Sequence, residues 1–199
     1  MSTMATARNR FGRADVVFPD PVPDHPLLAG LPEIGRGEYS IVLGMADPGR
    51  VMKLLSSPAD YFLLTADDRP AGTNFPILFA DHGVIGRAST GYLLHLVEIE
   101  RLHPLAPGSA AAQQAELLME AFWLGCREFA RLGAEMGRIA LFHLLDAPPA
   151  GLDPELLEAL RELSNFIESY QVRPDILSDG NLMARADGTL VFSDPVFLG

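Results

Sequence analysis

Three side chains near the end of the chain, Asp175, Asn181 and Asp194, are of the types that hold a hard cation and steer a proton. Asn181 opens a short apolar run, Leu182-Met183. Asp187-Gly188 is a turn pair, and Leu190-Val191-Phe192 is a second apolar run leading to Asp194. Two strands joined at Asp-Gly form a hairpin, which brings the amide and the carboxylate to one end. Such a pair of oxygen donors suits Mg²⁺, which keeps waters and substrate phosphates in its coordination shell. Asp175, six residues before Asn181, is then placed to deprotonate or position a hydroxyl. The same residues equally satisfy a plain reading, a polar turn followed by an ordinary Asp-Gly hairpin.

A second group of candidates lies earlier. Lys53 is the sole lysine among 15 Lys and Arg residues, and Val51, Met52, Leu54 and Leu55 surround it. Residues 33–43 read as a strand, a glycine loop and a second strand; Asp47-Pro48-Gly49 is a turn, and residues 50–54 are a third strand. Gly35 and Gly37 let main-chain N–H groups approach a phosphate chain, although any tight hairpin uses glycine as readily. Lys53 follows Gly37 by 16 residues, so loop and lysine belong to one three-stranded unit.

The elements that must position these residues follow from the hydropathy pattern. Residues 1–30 carry Pro19, Pro21, Pro23 and Pro26 and form an irregular arm, with Val16, Val17 and Phe18 available to pack on the domain. Ser57-Pro58 starts a helix through Tyr61, Phe62 and Leu64. Residues 77–80 and 91–97 are two more strands, with Asp81-His82-Gly83 as a turn. The stretch 103–108, rich in Pro and Gly, marks a boundary. Beyond it, residues 113–133 carry Leu117, Leu118, Phe122, Leu124, Phe129 and Leu132 at helical spacing. A shorter apolar run covers 139–145, and Asp153-Pro154 caps a clear helix with Leu156, Leu157, Leu160, Leu163 and Ile167 on its buried face. The segments are thus an arm (1–30), a sheet piece (31–102) and a mainly helical piece (103–199).

The totals bound the function. The net charge of −11 argues against general nucleic-acid binding. The single cysteine, Cys126, excludes an internal disulfide and fits a reducing compartment. No run approaches the length of a membrane span, and the start lacks a signal-peptide apolar core. The expectation is a cytoplasmic protein with no membrane partner. His95, His103 and His143 have no metal-ligand spacing to one another.

Five strands, a hinge, helices, and a final hairpin carrying Asp, Asn and Asp: this order resembles the protein-kinase fold, over residues 31–196. The ending, Asp175 through Gly180-Asn181-Leu182-Met183, then Asp187-Gly188 and Asp194-Pro195-Val196, is similar to compact kinase-like proteins encoded by bacteriophages. The resemblance implies an α+β, two-lobed architecture: an antiparallel N-lobe sheet and a reduced, mainly helical C-lobe truncated after Asp-Pro-Val. It implies ATP and Mg²⁺ as cofactors, bound between the lobes. Gly35 and Gly37 would cover the phosphates, Lys53 would bind the α- and β-phosphates, and the hinge from Glu98 through Glu100 to Leu102 would contact adenine. Asp175 would direct the substrate hydroxyl, and Asn181 and Asp194 would hold the metal.

Two functions follow from that resemblance. One is a phosphotransferase acting on a hydroxyl of a host protein or small molecule in the host cytoplasm. The other is a pseudokinase-like interaction protein that binds and inhibits a host factor. Features of this chain separate them. Asp175 precedes Asn181 by six residues where the family has five, which places Ile176 in the strict base position unless Gly180 takes a positive φ and lets the loop bulge. The stretch 56–72 offers Asp60, Asp67 and Asp68 but no Glu to pair with Lys53. Pro195 stands where most kinases have Phe.

Overall fold

The computed structural model describes residues 18–177 and 180–198 of the chain, and the chain divides into two compact units. Both are built from regular elements, and the fold class is α+β.

The sheet unit comprises residues 18–66 and Pro76–Arg101. Its strands are β1 (Glu33–Arg36), β2 (Ser40–Gly44), β3 (Arg50–Leu55), β4 (Leu78–Arg87) and β5 (Leu93–Glu100), all antiparallel in the order β1-β2-β3-β5-β4. Helix α1 (Pro58–Thr65) lies between β3 and β4 in sequence. It starts where the capping signals put it: Pro58 is in the first turn, and the Ser57 hydroxyl accepts the Asp60 N–H over 3.3 Å.

Strands β2, β3 and β5 are apolar almost throughout, so both sheet faces need a cover. Alternation sorts them. Ile41, Leu43, Met52, Leu54, Leu94 and Leu96 cluster with Phe18 and Leu28, so the N-terminal arm covers that face. Val51, Leu55, Val97 and Ile99 cluster with Leu64 and Tyr61, so α1 covers the other. The arm is fixed by polar contacts as well. Phe18 donates its N–H to the Gly37 carbonyl (2.7 Å), and Arg36 binds the carbonyls of Phe18 (2.9 Å) and Asp20 (2.7 Å). Phe18 packs on the sheet, and the segment after it includes a 3-10 turn over Pro26–Leu28; Val16 and Val17 lie outside the described residues.

One strand differs from the sequence reading. Asp81-His82-Gly83 is not a turn: β4 runs through it, with shifts of register against β5 around Asp81 and Val84. The Asp81 carboxylate accepts the Gly83 N–H (2.9 Å) and Gly83 takes a φ of 69°, a turn-like kink absorbed as a bulge inside one long strand.

The helical unit comprises Asp67–Phe75 and the chain from Leu102 onward. It contains α2 (Ala110–Glu128), α3 (Met136–Asp146) and α4 (Pro154–Tyr170), with a 3-10 segment over Ala130–Glu135. The periodicity carried the expected helix on to 133; the α-helix ends earlier, and Gly133, at φ 59°, breaks the segment that follows. α2 and α3 cross closely at Gly125, where an added Cβ would stand 3.0 Å from the Ala140 Cβ. Helix α4 starts as read, with the Asp153 carboxylate accepting the Glu155 N–H (2.8 Å). After α4 come two ribbons: β6 (Arg173–Pro174) with β9 (Val196–Phe197), and β7 (Leu182–Ala184) with β8 (Leu190–Phe192). The placement of Asp67–Phe75 with the helical unit departs from the continuous sheet piece 31–102 that the sequence suggested. Among the described residues no helix is long and apolar enough to cross a membrane.

Candidate functional site

In the helical unit the β7–β8 hairpin assembles the cation-type residues. Leu182 stands opposite Phe192 and Ala184 opposite Leu190, with Gly188 at φ 91° in the connecting loop. Asn181 and Asp194 therefore flank the same end of the ribbon. The Ser193 N–H donates to the Asn181 carbonyl (2.8 Å), closing the ladder beyond the last strand pair. The Asn181 side chain is 9% exposed, and its Nδ2 donates to the main-chain carbonyl of Asp175 over 2.6 Å. With the amide nitrogen so engaged, Oδ1 is the side-chain atom left to accept or to coordinate. Asp175 is tied in from its other side, its N–H donating to the Pro195 carbonyl (2.7 Å) beside the β6–β9 pair.

Asp175, Asn181 and Asp194 thus share one main-chain framework inside one unit. The donor types they offer, an amide oxygen and carboxylates, are hard oxygens of the kind Mg²⁺ selects. Gly180, ahead of Asn181, has a φ of 87°, the left-handed conformation that glycine adopts readily. Ile176 is fully buried in the core and Asp175 is half-buried. Ser178 and Asp179 lie outside the described residues.

In the sheet unit Lys53 occupies the middle of β3, between Val42 on β2 and Val97 on β5. Its alternation with Val51 and Leu55 puts it on the α1-covered face, and it is only 4% exposed. Asp60, in the first turn of α1, is 3% exposed. Both are charged groups withdrawn from solvent, one on the sheet and one on the helix that covers it. Gly35 and Gly37 flank Arg36 at the end of β1. Neither has a positive φ, and the Gly37 N–H and carbonyl are engaged by Ser40 and Phe18.

Of the residues expected at a hinge, Glu98 to Glu100 are the last three of β5, and Arg101 and Leu102 follow the strand. The Glu98 carboxylate pairs with Arg50 (2.8 Å), and the Glu100 carboxylate accepts the Ile77 N–H (2.9 Å). The main-chain N–H groups of Glu100 and Arg101 donate to Ile77 (3.0 Å) and Gly49 (2.8 Å).

Other polar residues gave no sequence signal. His95 stacks on Tyr61 with ring centroids 3.9 Å apart, and the Tyr61 hydroxyl donates to Asp81 (2.8 Å). Burial holds the His95 imidazole below its ordinary pKa, against the pull of Asp81. Asn74 binds the hairpin from outside, and Arg185, in the hairpin loop, reaches out to the carbonyls of Thr73 and Phe75. Among the described residues no three His, Cys, Asp or Glu side chains group as a metal site, so an ion here would rely on an amide such as Asn181.

Comparison of the chain with protein-family models, curated proteins and solved structures returns no match.

Proposed function

We propose that the chain is a compact, kinase-like phosphotransferase that uses ATP and Mg²⁺ to phosphorylate a hydroxyl. The observation that carries this reading is the framework around Asn181: its amide anchored on Asp175, its carbonyl on Ser193, and Asp194 next along the chain. The Ser193 bond is ordinary ladder pairing, but a plain hairpin has no need of the side-chain bond from Asn181 to the Asp175 carbonyl. Further support comes from the element order: five antiparallel strands with one helix after the third, then helices, then the hairpin. The only lysine is buried in the third of those strands.

In this reading Asn181 Oδ1 and the Asp194 carboxylate hold Mg²⁺, which supplies charge neutralisation at the transferring phosphoryl group. Lys53 binds the phosphates from β3, and Asp60 on α1 is its counter-charge. Gly35 and Gly37 cover the phosphate chain, and residues 98–102 contact adenine. Asp175 orients the acceptor hydroxyl and takes its proton.

The second reading, an inactive kinase-like protein that binds a host factor, is favoured by one observation: the N–H groups of Glu100 and Arg101 are already engaged in the sheet. A thermal-shift titration with Mg²⁺–ATP separates the two. Ligand at 100 times its Kd adds about 2.7 kcal/mol of stability, a clear rise in Tm that Lys53→Ala and Asp194→Ala should each remove. Absence of a shift with any nucleotide selects the binding protein.

A further inference from the structure

We infer that Asn74 is a positioning residue for the Asn181–Asp194 pair, acting as a one-residue third strand on the outer edge of β8. A three-residue, two-stranded ribbon is marginal by itself in water, yet this one must hold two ligands in fixed relation. Its outer edges carry main-chain groups that the ribbon cannot satisfy. On β7, Ala184 exchanges both of its main-chain bonds with His103 (2.8 Å each). On β8 the corresponding groups are the Leu190 carbonyl and the Phe192 N–H, and Asn74 meets both. Its Nδ2 donates to Leu190 (2.8 Å) and its carbonyl accepts from Phe192 (2.8 Å).

Asn74 is 8% exposed, so water cannot easily replace it. Arg185, from the hairpin loop, grips the carbonyls on either side of it: Thr73, and Phe75 at 2.8 Å. The Phe75 ring packs on that of Phe192 at 5.7 Å. The far end of the same segment is tied to α4, where Tyr170 donates to Asp68 (2.5 Å) and Ala71 donates to Glu162 (3.0 Å). The hairpin is therefore the inner pair of a four-ply arrangement, and β8, which Asn74 flanks, leads directly to Ser193 and Asp194. The clamp is a matter of hairpin geometry; its role in cation binding rests on the phosphotransferase reading.

The experiment uses Asn74→Asp, which keeps the shape and removes the donor, and Asn74→Ala, with Arg185→Gln as a second route to the same clamp should either fail to fold. Amide exchange is followed by NMR, and Mn²⁺ affinity is measured in the presence of ATP by water-proton relaxation. Exchange at Phe192 and Ser193 should quicken about tenfold, the effect of one lost buried hydrogen bond, while β3 and β5 amides are unmoved. Mn²⁺ affinity should fall by about the same factor. Unchanged exchange at Phe192 overturns the clamp. Quickened exchange with unchanged Mn²⁺ affinity overturns the positioning role and leaves a structural one. Wild-type protein that binds no Mn²⁺ with ATP overturns the phosphotransferase reading and the positioning role with it, whatever the exchange rates show.

Discussion

The Asn181 side chain donates to the main-chain carbonyl of Asp175 across 2.6 Å, joining the loop before the hairpin to the hairpin's first residue. The bond orients the amide and fixes the loop through a group that is 9% exposed. Removing it leaves a buried carbonyl unsatisfied, which costs about 1–3 kcal/mol. Asn181→Ala should therefore lower stability by that amount in chemical denaturation. Asn181→Asp should not restore it, because a carboxylate cannot donate to the Asp175 carbonyl. A destabilisation below about 0.5 kcal/mol in both would show that the bond contributes nothing net.

Lys53 and Asp60 are both buried under α1, on β3 and in the first turn of the helix. If each is the other's counter-charge, removing one strands the other in low dielectric at a cost of about 3 kcal/mol. Lys53→Met and Asp60→Asn should each show that loss, and the double variant should cost far less than their sum. Strict additivity in the double-mutant cycle would refute the pairing.

His95 gives a pH dependence with a defined sign. Burial against Tyr61 lowers its folded pKa below the ordinary 6.5, so the unfolded chain takes up the proton first. The stability it contributes is complete above pH 6.5 and is lost as pH falls through that value toward the folded pKa. Tyr61 from α1 stacks on it, and Asp81 on β4 opposes the shift. His95→Phe keeps an aromatic ring for Tyr61 and removes the titration. Its stability curve between about pH 7 and 5 should be flatter than that of the wild type; parallel curves would rule His95 out as the source.

Cys126 lies buried between α2 and its neighbours, and burial pushes its thiol up to about 11. The thiolate is the reactive form, so folded protein at neutral pH should not react with Ellman's reagent, whereas denatured protein should react fully. Rapid labelling of the folded chain would contradict the burial.

These features differ in how far the sequence reveals them. Ser57-Pro58 and Asp153-Pro154 announce their helices because capping is local chemistry between residues two or three apart. The Asp187-Gly188 hairpin is legible for the same reason, and with it the common end shared by Asn181 and Asp194. β4 was not, since Asp81-His82-Gly83 has the composition of a turn and only pairing with β5 makes it a bulge. Nor was Asn74, whose partners stand 116 residues away in a segment without periodicity. The cover of the sheet by Phe18 and Leu28 depends on the same kind of distant contact.

Asp175 is the residue on which the phosphotransferase proposal and the inactive reading part. Gly180, directly before Asn181, takes a φ of 87°, the conformation that a bulged loop ahead of Asn181 would use. Ile176 turns into the core and is fully buried, so it does not compete for a place facing solvent or substrate, while Asp175 stays half-buried with its main chain held by Pro195 and Asn181. A fixed main chain is what a group that positions a hydroxyl requires. Asp175→Asn preserves both main-chain bonds and the side-chain shape, so nucleotide affinity should change less than about twofold while phosphoryl transfer falls by about 10²–10⁴, the range for a lost general base. Gly180→Ala should lower transfer as well, because a Cβ is strained at that φ. The decisive measurement is single-turnover transfer from γ-labelled ATP: activity that survives Asp175→Asn removes the residue from the mechanism, and activity absent from the wild type despite Mg²⁺–ATP binding selects the inactive, nucleotide-binding reading.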